Sequence, residues 1–364
     1  MTSSHSAHAG SGASREIAGS RPKPLRILVL GGTQFIGIHM VDVALERGHT
    51  VTLFNRGRSN PEMLPGVEKL KGDRNGDLEA LKGRNWDAVI DNSGYVPRHV
   101  RLSAERLAPQ VGRYLFISTI SVYASFAAPN DEDSPLRALA DDSIEKVDGL
   151  TYGPLKALCE RAVHAACGNR ATIVRPGFIV GPHDSTDRFT HWPARAAHGG
   201  EMIAPGSPAD PMQFVDARDL ARFTIDMLER DVTETFNVTS PPGHLTIGQV
   251  IEESVAAANA LAHPQRAPQP VWIPTEFLEQ QQGATMMADF PIWLPAKGEL
   301  AAFAEINVTR ALKAGLKLRP LDGTVHDTLQ WHLARPTAER ASLKAGISAD
   351  REREVLAAWR KSHQ

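Results

Sequence analysis

The stretch Leu25-Arg-Ile-Leu-Val-Leu30, a nearly unbroken apolar run that stops at Gly31-Gly32, constrains the fold more than any other part of the chain. An apolar run with a sharp exit turn is the pattern of a strand buried on both faces of a sheet. Phe35 to Gly48 then repeats apolar residues at helical spacing, with Gly48 where a C-terminal cap belongs. Val51-Thr-Leu-Phe54 is a second apolar strand, closed by Asn55-Arg56-Gly57. A helix between two such strands is the crossover that parallel pairing requires. The alternation continues: Val67–Leu70, Ala88–Ile90, Tyr114–Ile117 and Ala171–Val174 read as strands, and Val100–Leu107 and Thr151–Ala166 as helices. This order predicts an α/β fold, a doubly wound parallel sheet with helices on both faces.

Beyond Gly177 the prolines multiply and the strands shorten, so residues 177–335 are expected to form mainly a smaller C-terminal substrate-binding lobe, with some elements returning to the sheet. Residues 25–176 carry the sheet itself, and residues 336–364 a helical C-terminal extension whose Ser348–Lys361 segment reads as a solvated helix. Residues 1–24, rich in Ser, Ala, Gly and His, are expected to be a disordered leader. They hold no apolar core of a secretory signal, and no later stretch reaches the ~20 apolar residues of a membrane span, which points to the cytoplasm and to no membrane partner. Forty basic against 42 acidic residues, a net charge of −2, provide no excess to bind nucleic acid. The two cysteines, Cys159 and Cys167, are too few for a disulfide framework and read as reduced core thiols. His183 and His191 lack a carboxylate partner at metal-ligand spacing, so no metal is expected.

Three groups of residues carry chemistry. Gly31, Gly32, Thr33, Gln34, Phe35, Ile36 and Gly37 form the turn between the first strand and its helix, where backbone N–H groups and the helix dipole can face a diphosphate. The second strand ends at Asn55, with Arg56 and Arg58 behind it, where NAD-selective folds usually place a carboxylate. A neutral side chain and two guanidinium groups there suit the 2′-phosphate of NADP, which is favoured over NAD. Asp73 and Arg74 follow the third strand, where an acid can accept from an adenine amino group or simply cap a turn, and Asn92, Ser93 and Gly94 end the fourth. In the third group, Tyr152 and Lys156 stand four apart on one helix face, downstream of Ser118, Thr119 and Ser121. A free phenol, with a pKa near ~10, becomes a working acid/base only when neighbouring charge favours the phenolate.

Together these residues resemble the short-chain dehydrogenase/reductase superfamily, in its extended NAD-dependent epimerase/dehydratase branch, over about residues 25 to 335. The likeness includes Ile117-Ser-Thr-Ile-Ser-Val-Tyr123, Arg175-Pro-Gly-Phe-Ile-Val-Gly-Pro182, Phe214-Val-Asp-Ala-Arg-Asp-Leu220 and Gly323-Thr-Val-His-Asp-Thr-Leu-Gln-Trp331. Two departures mark an atypical member: the GGxxxxG spacing, and the absence between Tyr95 and Gln110 of an asparagine that many members use in a proton relay. The resemblance implies a Rossmann-like cofactor domain, catalysis by Thr119, Tyr152 and Lys156, and a nicotinamide beside Pro176 and Phe178. It also implies a small-molecule substrate, with a sugar or sugar nucleotide among the candidates, and a homodimer as many members form. Ser121, Arg188, Trp192 and Arg218 are candidates to meet the substrate, Arg188 through an anionic group, Trp192 by stacking and Arg218 through a diphosphate or else in a local ion pair.

An NAD(P)-dependent oxidoreductase is therefore expected, with a sugar-nucleotide epimerase or dehydratase as the alternative. Ile120 and Ser121 stand where dehydratases of this branch carry an Asp-Glu pair, which argues against elimination. A non-catalytic NADP sensor or RNA-binding protein is a further alternative, drawn from the family's neighbourhood alone.

Overall fold

Alternate residues of the first strand, β1 (Arg26–Leu30), are buried in opposite directions, which is why its sequence shows no polar face. Ile27 and Val29 pack with Met40, Val41 and Ala44 of α1 (Ile36–Glu46), while Leu28 and Leu30 pack on the other face with Val100, Ala104 and Leu107 of α2 (Pro97–Leu107). The computed structural model describes residues 23–363 except 282 and 284, so the leader expected over residues 1–24 lies almost wholly outside the described residues.

The remaining sheet elements follow in order: β2 (Thr50–Asn55), β3 (Glu68–Lys71), β4 (Trp86–Asp91), β5 (Val111–Ile117), α3 (Tyr152–Cys167) and β6 (Ala171–Pro176). A seventh strand comes from the second half of the chain. The lobe contributes β7 (Phe178–Val180), α4 (His191–His198), β8 (Gly200–Pro205), β9 (Pro211–Met212), β10 (Phe214–Asp216) and α5 (Ala217–Glu229), and then β11 (Thr235–Val238) returns to pair with β6. The sheet order is β11-β6-β5-β4-β1-β2-β3, parallel throughout. The chain reverses its winding between β1 and β4, and ligands of open parallel sheets bind outside the strand ends at such a point. Cys159 and Cys167 are free and buried in the core beneath α3.

The lobe has a core of its own. Pro268–Ile273, within the proline-rich stretch, forms β13 and pairs in parallel with β8. A two-residue strand, β12 (Leu245–Thr246), pairs with β9 and leads into α6 (Ile247–Leu261), which starts in a capping box between Thr246 and Gln249. The C-terminal helix, Ala349–Lys361, is not the solvated helix its charges suggest, for Glu352, Val355 and Leu356 are buried. Glu352 accepts from Arg195 Nε at 2.6 Å and from the Ile203 backbone N–H at 3.0 Å, so an apparently solvent-facing acid fastens this helix to α4 and β8. No helix among the described residues is long and apolar enough to cross a membrane.

Candidate active site

A cleft of about 180 Å³ opens at the carboxyl ends of β1, β4, β5 and β6. Its walls include Asn92 after β4, Thr119 after β5, Tyr152 and Lys156 on α3, Pro176 at the end of β6 and Phe178 just beyond it. Ile36, directly after the glycine turn, lines the cleft from the head of α1. Gly31 and Gly32 adopt φ of +110° and +92°, a region L side chains avoid. A Cβ on Gly37 would lie 2.6 Å from Gly32 Cα and 2.6 Å from the Asn92 amide, so α1 approaches the turn more closely than any side chain allows. Three glycines thus leave a cradle of bare backbone at a helix N-terminus, which fits the diphosphate of a dinucleotide. Ile36 reaches the cleft, the Gln34 side chain points to solvent, and Phe35 takes a positive φ of 36° at the start of the helix.

The loop after β2 is stitched to this cradle. Asn55 Nδ2 donates to Gly31 O at 3.1 Å while its Oδ1 accepts from the Gly57 N–H at 2.9 Å. Thr33 Oγ1 donates to Ser59 O at 2.9 Å, and Asn60 Nδ2 to Thr33 O at 2.9 Å. Asn55 is therefore occupied in shaping the turn. Arg56 and Arg58 are exposed, with no carboxylate in salt-bridge reach among the described residues.

Several expected cofactor contacts are otherwise engaged. Arg74 is a correction: its guanidinium lies buried, paired bidentately with Asp91 at 2.6 and 2.6 Å, and it also donates to Ser103 Oγ at 2.7 Å. Asp73 accepts from the Asn75 N–H at 3.0 Å, which is the turn-capping alternative. Ser93 Oγ donates to Leu30 O at 2.8 Å and ties β4 to β1, and Ser118 Oγ donates to the buried Glu160 carboxylate.

Around the reacting centre the chain brings Thr119, Ser121, Tyr152 and Lys156 to one wall. Thr119 is extended, and its Oγ1 accepts from the Ser121 N–H at 3.1 Å and donates to Ser121 Oγ at 3.2 Å. The first turn of α3 can lie against this segment because residue 153 is glycine; a Cβ there would stand 2.1 Å from Ser121 O. Lys156 is buried, and its ammonium donates to Gly94 O and Ile117 O, each at 2.7 Å, with the Phe116 ring 4.0 Å beneath it. Two of its three protons are thereby used and one is left over. Burial draws the Lys156 pKa down to about 8. Burial pushes the Tyr152 phenol up to about 12, the neighbouring Tyr95 adds to this, and the Thr119 hydroxyl and the Arg188 charge pull it back.

Of the expected substrate contacts, Arg188 lines the cleft, lies over the Phe178 ring at 5.4 Å and donates through Nε to Thr186 Oγ1 at 3.0 Å. Trp192 is a correction: it is fully buried in the lobe core and its Nε1 donates to Pro291 O at 3.0 Å, so no ring can stack on it. Arg218 takes the ion-pair alternative, bound to Asp216 at 2.9 and 2.7 Å and to Asp327 on its other edge. Sequence reasoning missed Tyr95 and Phe303 in the cleft wall. Tyr95 directly follows Asn92-Ser93-Gly94, which was a usable signal, whereas Phe303 arrives from a distant loop with no motif.

Residues 88–239, which carry Tyr152, Lys156 and the strand ends around them, match the model of the NAD dependent epimerase/dehydratase family. Among curated relatives, it is 29% identical to the chloroplast stem-loop binding protein of 41 kDa b of Arabidopsis thaliana over 59% of the chain and 58% of that protein. It is 28% identical to the 2-alkyl-3-oxoalkanoate reductase of Stenotrophomonas maltophilia over 55% of the chain and 64% of the relative. The chain thus spans about three-fifths of the length of the curated relatives it matches. In fold it is similar to the Bordetella bronchiseptica enzyme WbmH in complex with NAD+, at a TM-score of 0.61 and 16% identity, covering 85% of this chain and 99% of that one.

Proposed function

We propose that this protein is an oxidoreductase that uses a nicotinamide dinucleotide, NADP in preference to NAD, to interconvert a carbonyl and a carbinol. The observation that carries this reading is the buried Lys156 ammonium, held by Gly94 O and Ile117 O in the same cleft as Tyr152, Thr119 and Ile36, the last at the head of the helix that follows the glycine turn. An ammonium costs free energy to bury, and two carbonyl acceptors offset the cost only where the charge has a use or a further partner. The cofactor, when bound, supplies or accepts the hydride.

The chain's own residues do the rest. Gly31, Gly32 and Gly37 would hold the diphosphate, and Arg56 and Arg58 would meet a 2′-phosphate. The remaining proton of Lys156 is available to a ribose hydroxyl. In the reducing direction Tyr152 gives its proton to the substrate oxygen, with the Thr119 hydroxyl as a second donor to that oxygen.

Tyr152→Phe should lower turnover by about 10²–10⁴-fold while the dissociation constant for the cofactor stays nearly unchanged. Steady-state rates and a fluorescence titration measure the two, and wild-type turnover in the variant would refute the assignment. The family match also supports a sugar-nucleotide epimerase, which would consume no added NADPH in net terms.

A further inference from the structure

Beside its hydroxyl and amino groups, the cleft holds a cluster of rings and branched chains and one guanidinium. Tyr95, Ile120, Phe178, Ile179 and Phe303 supply rings and branched chains, and Arg188 is the single guanidinium among the lining residues. Phe178 and Phe303 stack on each other with centroids 5.4 Å apart. At its cofactor end, Ser118 donates to Glu160, and the Asn92 amide sits against Gly31 and Gly37. The cation expected to meet a sugar-nucleotide diphosphate, Arg218, is already neutralised by Asp216 and Asp327.

Arg188 differs from Arg218. It has no carboxylate in salt-bridge reach among the described residues, and the acid that acts on it at longer range is the buried Asp184. Its Nε is spent on Thr186, and the two terminal nitrogens form a planar edge suited to a carboxylate. A single guanidinium matches a monoanion better than a dianionic phosphate. The backbone behind it is fixed: Asp187 takes a φ of 56°, and its buried carboxylate accepts from Arg335 Nη1 at 2.7 Å and from the Lys344 N–H at 3.2 Å.

Building on the proposed oxidoreductase activity, we infer that the substrate is a compact oxo acid, its hydrocarbon part against Tyr95 and Phe303 and its carboxylate on Arg188. In its reduction the C=O π bond breaks, the carbonyl carbon gains the hydride supplied by a reduced nicotinamide cofactor, and the oxygen takes the Tyr152 proton to give a hydroxy acid.

The test uses the full chain with NADPH or NADH and the 3-, 4- and 5-oxohexanoates, each beside its ethyl ester, with a keto phosphate of similar size as a further arm. For at least one position of the oxo group, kcat/KM for the acid should exceed that for the ester by about tenfold or more, and the phosphate should be poorer than the acid. Arg188→Gln should bring the acid-to-ester ratio close to one, and Arg188→Lys should restore part of it. Esters reduced as well as the acids, a better keto phosphate, or an unchanged ratio in Arg188→Gln would overturn the substrate class while leaving the oxidoreductase reading standing. Cofactor binding without oxidation of NADPH or NADH by any of these carbonyl compounds would overturn both.

Discussion

At the scale of single residues, the chain shows one side-chain type in opposite roles. Arg56 and Arg58 stand exposed beside the glycine cradle, whereas Arg74 is sealed against Asp91 and Arg218 against Asp216 and Asp327. Sequence alone distinguishes these guanidinium groups poorly, because each becomes available or spent according to a carboxylate that folding brings to it. Asn55 illustrates the converse. Its place at the end of β2 was legible, but its amide is used on Gly31 O and the Gly57 N–H, so it acts by presenting the two arginines. If they meet a 2′-phosphate, the double variant Arg56→Ser/Arg58→Ser should lower the ratio of NADP to NAD affinity by about 10–100-fold. Calorimetric titration with each cofactor measures this, and an unchanged ratio would place the selectivity elsewhere.

Elements show how segments with weak sequence signals come to position strong ones. The helix Tyr152–Cys167 was expected from its periodicity, but the reach of its first turn depends on Gly153 lying against Ser121 O. The C-terminal extension was legible as helix and misread as solvated, since its alternating charges hide one acid, Glu352, that turns inward to Arg195 and β8. The same extension grips the loop bearing Arg188 through Asp187, whose carboxylate holds Arg335 and the Lys344 backbone. Asp187→Ala takes from the mostly buried Arg335 its buried partner, leaving only the exposed Glu339 at 3.3 Å, and should cost about 1–3 kcal/mol. Urea unfolding should show the loss, and limited proteolysis should cut residues 336–348 faster than in the wild type. Equal cleavage rates would mean that the extension is held by its helix alone.

Across the whole molecule, a buried polar network joins the cleft to both halves of the chain. Glu160 on α3 accepts from Ser118 and from Arg175 Nε and Nη2, the latter two at 3.0 and 2.7 Å. Arg175 Nη1 also donates to the Tyr123 hydroxyl at 3.2 Å, and Tyr123 donates in turn to Asn237 on the returning strand β11. Glu160→Gln would leave a buried guanidinium uncompensated at the centre of this web. A stability loss of about 3–5 kcal/mol is expected, read from the urea midpoint at constant slope; a loss under about 1 kcal/mol would show that the web tolerates a neutral partner. By itself the sequence determined that β1, α1 and β2 form a parallel unit with a glycine turn, and that a Tyr–Lys pair follows on a later helix. Burial on both faces and helical spacing are local properties, written in neighbouring residues. Only the tertiary structure decided which charges stay free, because the buried partners lie 17 residues away for Arg74 and 148 for Arg335, and the second partner of Arg218 lies 109 away. Phe303 and Arg188 came to one cleft the same way, through packing between distant segments that no local pattern encodes.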